Sequence, residues 1–190
     1  MSSVLFVNAC ARENSRTRIL ADTLLSVLQG EVYELNLERM DLRPFTKNML
    51  ERRDELLAAG SYTDPMFDNA HRFVEADIIV FAAPYWDCSF PSSVKVYIEH
   101  IMVNGITFTY TENGCPKGMC KAKKLYYVST AGGPVIGTNH GFEYVKALAA
   151  LYWGVRETKL FQAENLDIIG ADVDRILEET KAEISESVTE

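Results

Sequence analysis

Short β-branched apolar runs alternate along this chain with longer apolar stripes at helical spacing. Val4-Leu5-Phe6-Val7 is an unbroken run followed by turn-prone residues, which predicts a strand buried on both faces. Ile19, Leu20, Thr23, Leu24, Val27 and Leu28 fall on one helical face and are closed by Gly30. Val32, Tyr33, Leu35 and Leu37 give a second strand. The stretch 38–65 is polar and mixed, with a short helix expected from Met49 to Ala59 and breaks at Gly60 and Pro65. A helix ending near Ala76 leads into Asp77 to Pro84, the most strand-like segment of the chain. Val94, Tyr97, Ile98, Ile101 and Met102 form the next helical stripe, and Leu125 to Val128 a fourth strand. A helix over Gly141 to Tyr152, a fifth strand over Thr158 to Gln162 and a last helix lined by Val173, Ile176, Leu177 and Ile184 complete the pattern.

Strands alternating with helices predict an α/β protein, a three-layer sandwich with a five-stranded parallel sheet between helices. The strand order 2-1-3-4-5 is the natural expectation for five such units. There is no internal repeat, low-complexity tract or Pro/Gly/Ser-rich linker, so residues 1–190 read as a single domain.

The net charge of −8 argues against a general nucleic-acid binder, which needs a broad basic face. That charge is unevenly placed. Residues 164–190 hold nine acids and two bases, so the remaining 163 residues are close to neutral and free to hold an anion. No basic leader precedes the first apolar run, and no stretch approaches the ~18 apolar residues of a membrane span. Cys10, Cys88, Cys115 and Cys120 form no disulfide framework, which fits reduced thiols and a cytoplasmic location. Cys115 and Cys120 make a C-x4-C pair that lacks a second pair or a nearby His, so loop thiols are expected and no metal site.

In an open parallel sheet a ligand sits beyond the carboxyl ends of the strands, where the strand order reverses. For order 2-1-3-4-5 the relevant loops follow strands one, three and four, and all three are unusual. The first, Asn8 to Thr17, lacks both G-x-G-x-x-G and the P-loop pattern. It places Ser15 and Thr17 at a helix start, where free N–H groups and the helix dipole favour an anion. Arg12, Arg16 and Arg18 against Glu13 give a local excess of positive charge. Those residues suit a phosphate monoester; plain capping by Asn14 or Ser15 with solvated arginines is the simpler alternative. The second loop, Pro84-Tyr85-Trp86-Asp87-Cys88-Ser89-Phe90-Pro91, carries aromatics that would cover a planar ring or form a satellite core cluster. The third, Ser129-Thr130-Ala131-Gly132-Gly133-Pro134, lets backbone approach a ligand or simply turns. His140 follows it and could donate to a ligand carbonyl, whereas His71 and His100 suit surface or packing roles. No nucleophile elbow or Cys–His pairing is evident, so a bound cofactor rather than a protein nucleophile is expected to carry any chemistry.

Ala83-Pro84-Tyr85-Trp86-Asp87-Cys88-Ser89-Phe90, Lys95-Val96-Tyr97 and, most specifically, Gly105-Ile106-Thr107-Phe108-Thr109-Tyr110-Thr111-Glu112-Asn113-Gly114 resemble the FMN-dependent NAD(P)H azoreductase and quinone reductase family. With the loops at 15–17 and 132–133, the resemblance runs from Val4 to about Gln162. It implies a flavodoxin-like fold and a homodimer with FMN at each subunit interface. It also implies two-electron transfer from NADH or NADPH to a small flat acceptor by a ping-pong cycle, with the chemistry at flavin N5 and no catalytic side chain. By position it assigns the FMN phosphate to Ser15, Arg16 and Thr17, with Cys10 and Arg12 alongside. Pro84, Tyr85, Trp86, Asp87 and Cys88 fall along the ribityl chain and ring edge, and Thr130, Ala131, Gly132 and Gly133 over the ring. Tyr110 matches an aromatic near the flavin, from the same chain or its partner, and with His140 it is the expected substrate contact. The family often has Ser where Cys10 stands, Asn-Phe for Asp87-Cys88 and Arg for Ala131. A flavodoxin-like electron carrier without its own small-molecule acceptor, or a non-flavin regulatory domain, would share the fold.

Overall fold

The structure is a computed structural model that describes residues 2–188, so the last of the C-terminal acids, Glu190, lies outside the described residues. Five parallel strands form one sheet: β1 (Ser3–Asn8), β2 (Glu31–Asn36), β3 (Ile78–Ala82), β6 (Lys124–Thr130) and β7 (Glu157–Ala163), in the order β2-β1-β3-β6-β7. This is order 2-1-3-4-5 with one addition. A small antiparallel pair, β4 (Phe108–Tyr110) and β5 (Pro116–Gly118), interrupts the chain before β6. The first of these strands falls in the G-I-T-F-T-Y-T-E-N-G stretch and the second just after it, and their period-two signal is too short to be read as a strand pair.

Side-chain alternation divides the core in two. Leu5, Val7, Ile79, Phe81, Leu125 and Tyr127 face one side, where α3 (Asp68–Glu75), α4 (Ser92–Ile101) and α5 (His140–Leu148) pack. Val4, Phe6, Val80, Ala82, Tyr126 and Val128 face the other, against α1 (Arg16–Val27) and α6 (Val173–Val188). Strands buried on both faces explain why their sequences are continuous apolar runs. The polar stretch contributes α2 (Lys47–Ala58), whose Leu56 and Leu57 rest against the first core. Trp153 closes that core beyond α5, stacked on Phe81 and edge-on to Phe73.

Because the sheet is parallel, all three loops singled out above emerge at its carboxyl edge. The register Asn8↔Ala82 and Ala82↔Val128 sets their roots side by side. The β4–β5 hairpin is elsewhere. It follows the C-terminal end of α4 and hydrogen-bonds near Trp153, through Cys120 N–H to the Trp153 carbonyl, close to the amino end of β6. Among the described residues, no helix is long and apolar enough to cross a membrane, and no group of three or more His, Cys, Asp or Glu could hold a metal ion.

Candidate functional site

A cavity of about 150 Å³ opens where the loops after β1, β3 and β6 meet. Its walls bring together Arg12, Ser15, Arg16 and Thr17 from the first loop, Pro84, Tyr85 and Trp86 from the second, and Thr130 and Gly132 from the third. Ala11, Asn14 and Asp167 complete the lining. Asp167 comes from the loop between β7 and α6, which carries no phosphate or flavin signal in the sequence.

Helix α1 begins at the cavity because Ser15 caps it. Its backbone is extended, and its hydroxyl accepts the Arg18 N–H at 3.4 Å. The N–H groups of the following residues have no intrahelical acceptor and point out of the helix end. Thr17 is fully buried, and its hydroxyl lies 2.6 Å from that of Thr130. One of the two hydroxyl protons closes that bond, which leaves the other free for a third oxygen. Helix N–H groups, the Ser15 and Thr17 hydroxyls and the Arg12 guanidinium are donors of the kind a phosphate monoester takes, so their chemistry fits the FMN phosphate that the resemblance implies.

The local positive charge expected from three arginines is largely neutralised, which corrects the simple count. Arg18 donates to Asp22 at 2.7 Å and Glu34 at 2.6 Å and lies over the Phe6 ring. Arg16 donates to the Leu166 carbonyl and the Asp167 carboxylate, both at 2.7 Å. Arg12 is exposed and, among the described residues, has no ion-pair partner.

The second loop turns sharply. Trp86 and Ser89 exchange backbone hydrogen bonds of 2.9 and 2.8 Å, and the residues between them, Asp87 and Cys88, have φ of 50° and 66°. This is the geometry of a tight two-residue hairpin, a place normally held by Asn-Gly. Asp and above all Cys are strained there. The turn leaves Trp86 43% exposed beside the cavity, while Asp87 and Cys88 stand outside its lining. The Tyr85 hydroxyl pKa is raised, first by its hydrogen bond with the Cys88 side chain and then by burial.

Gly132 and Gly133 have different roles. A Cβ on Gly132 would come within 2.2 Å of the Asp167 carboxylate, whereas one on Gly133 would meet nothing within 4 Å. Gly132 makes room for Asp167, and Gly133 offers open backbone. Their loop is cross-tied to the β7–α6 loop: Leu166, Asp167 and Asn165 donate N–H groups to the carbonyls of Ala131, Gly132 and Gly133, and Val135 donates to the Glu164 carboxylate.

Besides Asp87, Cys88 and Gly133, four more expected residues stand apart from the cavity lining. Cys10 is buried beneath the first loop, its N–H held by the Asn8 side chain, and burial pushes its thiol up to about 11. Ala131 is buried and bonded to Ala163. His140 is exposed at the start of α5, its N–H on the Cys88 carbonyl. Tyr110 sits on the hairpin at the far end of the sheet, packed edge-on against Phe108, so it does not reach this cavity within one chain. A larger hollow of about 460 Å³ lies at the amino end of β1, but its cations are already engaged: Arg72 lies over Tyr33 and Lys121 pairs with Asp77.

The chain matches the family model described as flavodoxin-like fold over residues 2–188. It is 31% identical over 202 residues to FMN-dependent NADH:quinone oxidoreductase 2 of Clostridium acetobutylicum, covering 100% of both chains. It is 34% identical over 191 residues to the FMN-dependent NADH:quinone oxidoreductase of Lachnoclostridium phytofermentans, covering 95% of each. Among solved structures, an azoreductase from Bacillus anthracis superposes with a TM-score of 0.85 at 22% identity, covering 99% of both chains. An FMN-dependent NADH-azoreductase from the same species, in complex with FMN, gives 0.83 at 20% identity, covering 100% of this chain and 98% of that one. From its topology and from its full-length likeness to these reductases, this chain belongs to the flavodoxin-like fold family that includes the FMN-dependent NADH:quinone oxidoreductases.

Proposed function

We propose that this chain is an FMN-dependent oxidoreductase that takes two electrons from NADH or NADPH and delivers them to a flat acceptor such as a quinone or an azo compound. The observation that carries the reading is the cavity at the start of α1, whose helix N–H groups, Ser15, Thr17 and Arg12 match a phosphate monoester. The names of the relatives point to NADH as the preferred donor and a quinone as one acceptor.

Bound FMN would supply the hydride chemistry at its N5. The chain binds and orients. Ser15, Thr17 and the α1 N-terminus hold the phosphate, with Arg12 nearby. Pro84, Tyr85 and Trp86 line the path toward the ring, and the tight turn at Asp87-Cys88 fixes the angle at which Trp86 leaves the sheet. Thr130 and Gly132 form the opposite wall, and Gly133 presents bare backbone. In a ping-pong order the oxidised nicotinamide leaves before the acceptor takes the same place.

One chain does not enclose such a ligand. A cavity of about 150 Å³ falls below the roughly 300–1,000 Å³ of pockets that bury a drug-sized molecule. This supports a homodimer of single-domain chains with FMN at each subunit interface. Tyr110, remote from the cavity of its own chain, would then act from the second copy. The hollow between α2, α4 and α5, with Leu50 and Tyr144 partly exposed, is a candidate for the covered face. The free cysteines suit a reduced, cytoplasmic setting.

Purified protein is expected to be yellow, to sediment as a dimer and to oxidise NADH with a quinone. A colourless protein that leaves FMN fluorescence unquenched overturns the assignment. Flavin binding with no NADH turnover would leave an electron carrier instead.

A further inference from the structure

Asp167 brings a negative charge into the wall of a site read as one for a phosphate monoester. Its placement is built by several contacts. The Asp167 N–H donates to the Gly132 carbonyl at 2.8 Å, and one carboxylate oxygen accepts from Arg16 at 2.7 Å. The other oxygen occupies space that any side chain at position 132 would need, 2.2 Å from a Cβ there. The second Arg16 terminal nitrogen donates to the Leu166 carbonyl at 2.7 Å. The Arg16 guanidinium is thus held by an anion and a carbonyl of one loop, at the lip of the cavity its own backbone helps to form. A phosphate monoester offers the same guanidinium two oxygens in the fork geometry it prefers, with more charge than a carboxylate. The side chains of Arg16 and Asp167 are 29% and 67% exposed, so water screens their attraction and a phosphate dianion can displace it.

We propose that Asp167 is a resident competitor for the FMN phosphate: it pairs with Arg16 in the apoprotein and yields it when the phosphate binds. The inference rests on the FMN reading above and assigns a role that reading lacks. Asp167 sets how strongly the phosphate, rather than the ring, contributes to cofactor affinity. FMN is therefore held less tightly against riboflavin than the number of arginines suggests, and it exchanges more readily.

The test is titration of the apoprotein with FMN and, separately, with riboflavin, followed by flavin fluorescence. Wild type, Asp167→Asn, Arg16→Ala and the double variant are compared, and thermal melts establish that each is folded. Asp167→Asn is expected to tighten FMN roughly five- to tenfold and to leave riboflavin within about twofold. The gain is expected to vanish when Arg16 is alanine. Asp167→Ala repeats the measurement without an amide able to bond Arg16, and the same gain is expected. Unchanged or weaker FMN binding in Asp167→Asn overturns the proposal, because Asp167 would then be inert or would orient Arg16 toward the phosphate. A gain of equal size without Arg16 also overturns it, reducing the effect to plain charge repulsion. If wild type and variants alike fail to bind FMN, the FMN reading falls and the inference with it.

Discussion

The two ends of the sheet are built on different terms. At the amino end, the polar groups of Asp77 and Ser3 are matched. Asp77 accepts the Ser3 N–H at 2.9 Å and the Ser3 hydroxyl at 3.2 Å, and its other oxygen pairs with Lys121 at 2.9 Å. Asp77 returns its own N–H to the Ser3 carbonyl. At the carboxyl end, the Ser129 and Tyr127 hydroxyls are buried without a partner among the described residues, and Asp87 and Cys88 adopt left-handed backbone. A network of satisfied bonds stabilises a fold. Unmatched groups and strained turns cost stability and persist where a ligand can use them. The same strands serve both ends, so the division of labour lies in the loops.

Breaking the carboxyl end should show in binding. Replacing Ser15 and Thr17 together with Ala is expected to weaken FMN by roughly a hundredfold, since each removes a hydrogen bond to a charged group. The melting temperature should fall as well, because Ser15 caps α1 and the Thr130 hydroxyl loses its partner. Isothermal titration and a thermal melt on the same samples separate the two effects; unchanged FMN affinity would mean the phosphate lies elsewhere.

Breaking the amino end should show in stability alone. Asp77→Ala is expected to lower the melting temperature and leave flavin affinity as it was. The Lys121 side chain and the Ser3 bonds hold the Asp77 carboxyl down, at about 2. A depressed carboxylate contributes stability that is present above the ordinary carboxylate range and is lost as pH falls through about 2. Acid unfolding of wild type should therefore steepen below about pH 4 relative to Asp77→Asn. Superimposable acid curves would remove Asp77 from the account.

Relieving the strain should sharpen the contrast in the opposite direction. Cys88→Gly removes a Cβ from a position with φ of 66° and is expected to stabilise the protein by about 1 kcal/mol. A chemical denaturation midpoint that does not rise would count against strain in this turn.

The smallest effect concerns the thiols. Cys88 and Cys115 are exposed, whereas burial pushes Cys10 up to about 11 and Cys120 up to about 12. A maleimide at neutral pH should label Cys88 and Cys115 and spare Cys10 and Cys120 until the protein is unfolded. FMN should slow labelling of Cys88; labelling of Cys88 at the same rate with and without FMN would argue against the ring lying beside the second loop.

Most of the sheet was legible in the sequence because strands buried on both faces must be apolar throughout, as in Val4 to Val7 and Ile78 to Ala82. Helix α1 announced itself through its stripe and the hydroxyl at Ser15. The β4–β5 pair was not legible, since strands this short carry too little pattern. The loops that meet at the cavity followed from the rule for parallel sheets, and the residues of 12–17 and 84–86 were found that way. Asp167 was not. It lies 151 residues from Arg16 in sequence, and no local count of charge reveals that this arginine is already engaged. The turn at Asp87-Cys88 was equally hidden, because neither residue is one that such a turn normally selects.

The cross-ties between the loops after β6 and β7 carry a consequence for motion. With Ala131, Gly132 and Gly133 each accepting an N–H from residues 165–167, and Val135 bound to Glu164, neither loop can open without the other. Their amides should exchange with solvent as one cooperative unit, slowly and at a common rate, beside a first loop whose tip is free to exchange within seconds. The rim of the cavity is thus part hinge and part plate.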